Sequence, residues 1–182
     1  MIEYTKVKLG DIVRTNISSY SSKENWEYVN YLDTGNITKN KIESIQKIDL
    51  DVEKLPSRAK RKVKNKNIVY STVRPNQLHY GIIETQPENF LVSTGFTVIE
   101  VDEKRAIPEY VYYYLSQDEI VTHLQAIGEQ SVSAYPSIKP SDIECLDIVL
   151  PSILTQKKIV DILGSIDSKI TLNEEINNNL AA

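Results

Sequence analysis

The most pronounced chemical feature of the sequence is a run of positive charge from Lys54 to Lys66. It contains seven basic side chains and no acidic one, although the whole chain carries a formal net charge of -4 at pH 7, so the rest of the chain carries -11. A concentrated basic segment on an acidic protein favours a local contact with a polyanion. Lys60, Arg61, Lys62 and Lys64 can neutralise phosphates, each adding about 0.9 to the salt slope of duplex binding. The alternative is a solvated loop kept soluble by its charge.

Arg74 and three aromatic residues are further candidates for contacts with a nucleic acid. Arg74 stands just after a predicted strand and before Pro75, where a guanidinium can make a bidentate contact with a guanine edge. Trp26, Tyr80 and Tyr135 fall in polar, loop-like stretches and can stack or hydrogen-bond at a nucleic acid surface. For each residue taken alone the alternative is structural: a surface salt bridge for the arginine, and packing in the core or at its rim for the aromatics.

The residue patterns of catalysis are missing. The six glycines are all at least 14 residues apart, which excludes a dinucleotide fingerprint and a P-loop. No Pro-Pro pair is present, so the loop with which amino-methyltransferases hold a flipped base is absent. One cysteine (Cys145) and two histidines (His79 and His123) cannot complete a four-ligand zinc site. The sequence therefore predicts a binding protein with no catalytic residue, cofactor or metal of its own.

Alternating apolar residues predict a central β-sheet that must position these side chains. The predicted strands are residues 67–73, 81–84, 90–93, 96–101 and 143–150. Between Pro108 and Gly128 the apolar period changes to that of a helix. Ser116 and Glu119 have the spacing of a capping box, which indicates either two abutting helices or one that is renewed there.

The segment from residue 152 to the end predicts an amphipathic helix of roughly 28 residues, about 40 Å long. This is too long to pack entirely on a small domain. Asn173 and Asn177 fall in its heptad frame where Ile or Leu is expected, and such asparagines set register and partner number. The pattern alone gives equal weight to a helix folded back on its own domain and to one that binds a partner through Ile159, Ile162, Leu163, Ile166, Ile170 and Ile176.

Composition sets the remaining bounds. A chain of 182 residues with 41% apolar and 25% charged residues can bury a core of its own without disulfides. The single cysteine fits a reducing cytoplasm. No stretch approaches the roughly 20 apolar residues of a membrane helix, and the first residues lack a signal-peptide pattern. We therefore expect a cytoplasmic protein with no membrane contact.

The order of these segments resembles one half of the specificity subunit of type I restriction-modification systems. The most specific segment is 143–166, where a predicted strand ends at Leu150-Pro151 and continues into Gln156-Lys157-Lys158-Ile159-Val160-Asp161-Ile162-Leu163. The other matching segments are Val7-Lys8-Leu9-Gly10-Asp11-Ile12, Tyr31-Leu32-Asp33-Thr34-Gly35-Asn36-Ile37, Ile68-Val69-Tyr70-Ser71-Thr72-Val73-Arg74-Pro75, Leu91-Val92-Ser93-Thr94-Gly95-Phe96 and Tyr112-Tyr113-Tyr114-Leu115. The likeness spans essentially the whole chain.

The resemblance implies an α+β fold: a mostly β target recognition globule with small helices over residues 1–150, followed by a conserved helix over residues 151–182. It implies a non-catalytic reader of double-stranded DNA. The methyltransferase subunit, which carries S-adenosylmethionine and methylates adenine N6, and the restriction subunit are its implied partners. Within this family the basic run becomes an expected phosphate contact.

A complete specificity subunit has two recognition domains and two helices, whereas this chain has one of each. It is either a natural half-subunit that forms a homodimer or a truncated protein. The alternative from another class is a protein-interaction module whose helix pairs with a partner and whose basic loop is only a solvated surface.

Overall fold

The structure, a computed structural model, describes residues 4–131 and 135–180. Ala181 and Ala182, at the end of the predicted helix, lie outside these residues. The fold is α+β, as predicted. The strands are β1 (Thr5–Lys8), β2 (Val13–Thr15), β3 (Tyr28–Leu32), β4 (Ile37–Thr38), β5 (Lys41–Ile42), β6 (Gln46–Asp49), β7 (Ala59–Lys62), β8 (Ile68–Ser71), β9 (Tyr80–Ile82), β10 (Phe90–Ser93), β11 (Phe96–Val101) and β12 (Asp147–Leu150). The helices are α1 (Pro108–Leu115), α2 (Asp118–Glu129), α3 (Pro140–Glu144) and α4 (Ile153–Leu180).

Two four-stranded sheets form the centre of the globule. One has the strand order β6-β3-β10-β7 and the other β2-β11-β8-β9. The strands β10 and β11 follow each other in the chain but belong to different sheets, so the turn at Thr94 and Gly95 joins the two sheets. Most pairs are antiparallel, and β3 and β10 run parallel. Two short pairs, β1 with β12 and β4 with β5, complete the strands.

The two sheets share an apolar core. Phe90 and Val92 from the first sheet pack with Val69 and Val98 from the second. Alternation along β11 gives its other face, with Ile99, to a second cluster that also contains side chains of α1, α2 and α3. Each four-stranded sheet is therefore buried on the face that packs against the other sheet, and this packing fixes their relative position.

The start of the chain packs beside the end of the globule. Strand β1 pairs antiparallel with β12, with Thr5 opposite Leu150 and Lys8 opposite Asp147. The Nζ atom of Lys8 also forms an ion pair with Asp147 at 2.7 Å. This pairing holds the strand that leads directly into α4.

The predicted strands and α4 agree with the structure, apart from one boundary and one cap, and of the two alternatives for residues 108–128 the two abutting helices are confirmed. The predicted strand at 143–150 is wrong in its first half, where Pro140 starts the short helix α3. The Ser116–Glu119 capping box does not form: two helices abut, Ser116 ends α1 with its Oγ bonded to the Tyr113 carbonyl, and Gln117 precedes α2. A serine that bonds back into its own helix is not available to cap the next one.

Helix α4 buries side chains against the globule at its beginning. Gln156 is buried, and Ile159, Val160, Leu163 and Gly164 are half-buried. Every residue from 165 to 180 is exposed. Both interpretations of the sequence pattern are therefore partly realised: the first turns pack on the domain, and the later turns are exposed but reach it through the Tyr113–Asp167 hydrogen bond and a Lys41–Glu174 ion pair at 3.5 Å.

Candidate nucleic-acid interface

The basic segment forms β7, an edge strand with an irregularity at its centre. Arg61 lies opposite Val92 and Ala59 opposite Ser93, so the pairing passes over Lys60. A β-bulge of this kind re-aims the side chain of its extra residue. Lys60 is exposed, whereas Ala59 is fully buried.

The guanidinium of Arg61 is turned into the protein. It donates hydrogen bonds to the Oδ1 atom of Asn16 and to the backbone carbonyl of Phe96. Burial lowers the pKa of Arg61, although an arginine remains protonated at neutral pH. Asn16 in turn accepts the Val98 amide at 2.9 Å. Arg61 therefore ties the first residues after β2 to β11, and this orientation does not present it to a phosphate.

The lysines that follow are paired with carboxylates from distant parts of the chain. Lys62 bonds Glu24 and lies with its Nζ 5.2 Å from the centre of the Trp26 ring. Lys64 lies 3.2 Å from Glu100.

Lys66 contacts two carboxylates, Glu84 and Glu109, each at 2.6 Å. Its hydrogen bonds, with Glu109 the stronger influence, raise the pKa of Lys66. Together with the two preceding pairs, these contacts pair three of the seven cations of the basic segment with carboxylates of the folded protein.

Arg74 and Tyr135, two predicted site residues from distant segments, lie together. The guanidinium carbon of Arg74 is 4.6 Å from the centre of the Tyr135 ring, within the range of a cation–π contact. The backbone amide of Arg74 donates to the Pro136 carbonyl at 2.9 Å, and Val73 forms a bridge with Ser137. We call Arg74 and Tyr135, with the joining backbone of Val73, Pro136 and Ser137, the reading corner.

The backbone of Arg74 is in the left-handed region, with φ 48° and ψ 69°. This conformation is uncommon for a residue with a side chain, and more so before a proline. Leu78, at the other end of the short turn Pro75–Gln77, also has a positive φ of 61°. Strain of this size persists where the surroundings fix it, often at a functional site. This backbone conformation sets the direction of the Cα–Cβ bond of Arg74.

The reading corner borders the turn that joins the two sheets. Thr72 donates from its backbone amide and its Oγ1 to the Gly95 carbonyl, at 2.8 and 2.9 Å. On the other side of this turn the end of the Arg58 side chain lies directly over Gly95, with Thr34 beside it. A larger residue at this position would have to displace both side chains. Arg58, an exposed cation of the basic segment, thus flanks the same turn as Arg74.

The two remaining aromatic candidates have different surroundings. The prediction that Tyr80 is in a loop and available for stacking is wrong: it lies in β9, is 5% exposed, and packs against Tyr70 at 5.4 Å and Tyr112 at 6.3 Å between ring centres. Trp26 is half-buried and packs on Tyr20 at 4.6 Å. Trp26 therefore retains a partly accessible ring, whereas Tyr80 is a core residue.

The predicted partner-binding helix carries an exposed apolar stripe. Its four exposed members are 46–61% exposed, and they are Ile162, Ile166, Ile170 and Ile176. Ile159 and Leu163 are half-buried instead and line a groove with Tyr110, Tyr113 and Tyr114 of the globule. The first two turns thus divide their apolar residues between the globule and the solvent.

The described residues give no support to two other kinds of site. Among residues 4–131 and 135–180, no three His, Cys, Asp or Glu side chains come together as they would around a metal ion. None of the helices in the same described ranges is long and apolar enough to cross a membrane.

The sequence model of the type I restriction modification DNA specificity domain matches residues 1–182 of the chain. The chain belongs to this family. The specificity subunit of the HindI type I restriction enzyme from Haemophilus influenzae is 32% identical to this specificity domain over 180 residues. That match covers 99% of the chain and 39% of the relative. The chain therefore spans about two fifths of the length of this curated relative.

Solved structures show the same fold. A chain from a type I R-M system, in a structure concerned with complex assembly and conformational transition, has a TM-score of 0.79 at 23% identity, covering 97% of this chain and 45% of its own length. The HsdS subunit from Thermoanaerobacter tengcongensis gives a TM-score of 0.78 at 22% identity, with 95% and 44% covered. The family match, the relative and these folds confirm the resemblance of the specificity domain to one half of a specificity subunit.

The structure adds two residues that the sequence patterns did not single out. Arg58 is one of the seven cations of the basic run, and only its approach to Gly95 distinguishes it from the others. Gln156 is a polar residue in an amphipathic helix, and its full burial is visible only once α4 is placed against α1. A glutamine at a core-facing helix position was the only available signal for it.

Proposed function

We propose that this specificity domain is a non-catalytic reader of one half-site in double-stranded DNA, and that it acts within an assembly whose other subunits carry out the chemistry. An adenine-N6 methyltransferase subunit with bound S-adenosylmethionine supplies methylation, and a restriction subunit joins the complex. The reading corner is the observation that carries this proposal. Membership of the DNA specificity family supports the choice of DNA as the polyanion.

Arg74 has the chemistry of a base reader. Its five fixed N–H donors match the O6 and N7 acceptors of guanine in a bidentate contact. Among the ion pairs of the described residues none includes Arg74, so no carboxylate competes for it there. The Tyr135 ring, 56% exposed, supports the guanidinium from one side and leaves its edge for a partner.

Phosphate contacts come from the cations that flank the corner. Arg58, beside Gly95, and Lys60, in the bulge of β7, are both exposed. In the described part of the chain neither forms an ion pair within 4 Å, although the Asp33 carboxylate is within electrostatic range of Arg58. Exposed cations of this kind contribute to affinity without reading sequence. Lys62 and Lys64 contribute only after they leave their carboxylates, and surface pairs of this type are worth about 0–1 kcal/mol.

The exposed stripe of α4 binds partner subunits and a second copy of the chain. A helix with isoleucines exposed at 162, 166, 170 and 176 leaves an apolar surface that association would cover. Asn173 lies within this stripe, where a buried amide would fix the register of a pair. In the two-fold homodimer both copies present the same surface to DNA, so the recognised site is an inverted repeat with a spacer of fixed length.

The assembly is tested with the double variant Ile166→Glu, Ile170→Glu. Burying unpaired charges costs several kcal/mol, so the variant should not form the homodimer or bind the methyltransferase subunit. Its globule should keep the thermal unfolding of the wild type. The control is Lys157→Glu with Lys158→Glu, which changes exposed polar positions of the same helix. Normal assembly of the isoleucine variant in size-exclusion and light-scattering measurements would show that α4 is not the partner surface.

The role of the chain as a reader is tested by methyl transfer. The pure chain should transfer no labelled methyl group to DNA, and the mixture with the methyltransferase subunit should methylate adenines at one sequence. Transfer by the chain alone would contradict the proposal. Binding of the methyltransferase subunit without any sequence preference would favour the protein-interaction alternative, which the internal ion pairs of the basic segment also favour.

A further inference from the structure

Helix α4 is joined to the globule through a buried glutamine. Gln156 is 0% exposed, while the next two residues, Lys157 and Lys158, are exposed. It lies in the first turn of α4, immediately after β12. A buried amide needs all of its hydrogen bonds, so its contacts define the position of the backbone that carries it.

The amide of Gln156 bonds three backbone groups on both sides of the joint. Its Oε1 accepts the Ile107 amide at 2.9 Å. Its Nε2 donates to the Pro151 carbonyl at 2.9 Å and to the Arg105 carbonyl at 3.4 Å. Ile107 precedes α1 and has no side-chain cap of its own, so the glutamine satisfies a donor at the start of that helix. One side chain thus connects the beginnings of α1 and α4.

A second tether lies further along the same helix. Tyr113, on α1, donates its hydroxyl to Asp167 Oδ2 at 2.8 Å. Asp167 is 11 residues beyond Gln156, about 16 Å along the helix axis. Two fixed points at this separation define the direction of a helix, whereas one point would define only where it begins. Between these two points, Ile159 and Leu163 line one side of the groove that separates α4 from α1. The Lys41–Glu174 ion pair nearer the tip is exposed on both sides, and such surface pairs are worth about 0–1 kcal/mol, so it adds little to this direction.

We propose that Gln156, together with the Tyr113–Asp167 hydrogen bond, fixes the direction in which α4 leaves the globule. All three are positioning residues that act through the helix. For DNA recognition this inference rests on the proposed function: the direction of α4 then sets the separation of the two reading corners in the homodimer. A tilt of about 10° at the base of a helix some 40 Å long moves its tip by about 7 Å, or roughly two base pairs.

The direct test measures the joint without DNA. Spin labels are placed on the exposed Cys145 of the globule and on Asn178→Cys near the tip of α4. The labelled full chain is diluted into unlabelled wild-type chain, so that distances within one chain are recorded. The wild type should give one narrow distance distribution. Gln156→Met, which keeps the length and volume but lacks the amide, should broaden or shift it, and Lys157→Ala should not.

A second variant keeps the inference testable if Gln156→Met does not fold. Tyr113→Phe keeps the ring and removes only the hydroxyl that bonds Asp167, and it should broaden the distribution to a smaller extent. Thermal unfolding of each variant shows whether the globule remains folded. A distribution identical to that of the wild type in the folded variants would overturn the inference, and if Gln156→Met does not fold, Tyr113→Phe alone decides.

The DNA arm separates this inference from the proposed function. Engaging two half-sites at once adds affinity on the order of 10²-fold, which is lost when the spacer does not fit. In Gln156→Met, a spacer altered by one or two base pairs should cost only a few fold. If the distances change in the variants but the wild type shows no spacer preference, the proposed dimeric reader is refuted, and the inference about the direction of α4 still holds. Unchanged distances would refute the joint, whatever the DNA result.

Discussion

The basic segment and the reading corner carry cations of the same kind and use them differently. In the basic segment, Lys62, Lys64 and Lys66 are paired with carboxylates, and Arg61 bonds an amide and a carbonyl inside the fold. In the reading corner, Arg74 lies on an aromatic ring. A run of charge along a sequence is therefore a poor measure of charge available to a partner. What matters is whether the fold brings acids to the same surface.

This difference has a geometric origin. Side chains on a strand alternate between its two faces, and neighbouring strands come from distant parts of the sequence. The partners of the basic segment are Glu24, Glu84, Glu100 and Glu109, which come from four separate segments. Arg74 follows the end of β8 and is supported by backbone from residues 135–138, which contribute no carboxylate to it.

Loss of Arg74 should have the largest effect on DNA recognition. Arg74→Ala should reduce the preference for the correct base at one position of each half-site by about 1–3 kcal/mol, because a bidentate contact is lost. Arg14→Ala, which removes an exposed arginine of β2 outside the corner, is the matched control. Competition between cognate and single-substituted duplexes measures the effect. Equal losses on all duplexes would assign Arg74 to phosphate instead of base contact.

Removing the carboxylate partners of Lys62 and Lys64 should make these lysines available to DNA phosphates, as the charge of the basic segment suggests. Glu24→Gln with Glu100→Gln removes the partners of Lys62 and Lys64 while keeping side-chain size. Binding to any duplex should strengthen, and the salt slope should steepen by up to about 2, or 0.9 for each cation that reaches a phosphate. Titrations between low and moderate salt measure the slope. An unchanged slope would place these lysines away from DNA.

Replacing four cations of the basic segment should lower the salt slope of DNA binding by less than their number predicts. The quadruple variant of Lys60, Arg61, Lys62 and Lys64 to Ala would lower the slope by roughly 3 to 4 if every cation contacted a phosphate. We expect a decrease of about 1, from Lys60, because the other three cations have partners in the fold. Lys60→Ala alone should reproduce most of it. A decrease near 4 would show that the ion pairs open on DNA.

The Tyr135 ring should contribute least. Tyr135→Leu keeps apolar bulk but removes the cation–π contact, which is worth about 0.5–1 kcal/mol at an exposed site. The base preference attributed to Arg74 should weaken by that amount, and Tyr135→Phe should retain it. The measurement is the same competition assay. A full loss of preference in Tyr135→Leu would show that the ring itself contacts DNA.

The sequence predicted elements better than it predicted contacts. The strands at 90–93 and 96–101 and the 28-residue helix follow from local apolar periodicity. The pairing of β1 with β12 and the parallel pair β3–β10 depend on contacts between distant segments, which periodicity does not encode.

The candidate site divides in the same way. The place of Arg74 after a predicted strand makes it a candidate from the sequence alone, whereas its contact with Tyr135 is visible only in the folded structure. Tyr80 is wrongly assigned to a loop from the sequence because its strand β9 is only three residues long and has no room for an alternating pattern.

The most direct test of the central claim, that the reading corner determines which DNA is recognised, is the methylated sequence itself. DNA is methylated by the partner subunit with the wild-type chain, with Arg74→Ala, or with the quadruple variant of the basic segment, and the modified adenines are mapped. The account predicts one gapped inverted repeat for the wild type. Arg74→Ala should relax one position in each half-site, and the quadruple variant should keep the motif at lower yield. A motif that is unchanged in Arg74→Ala and altered in the quadruple variant would contradict it.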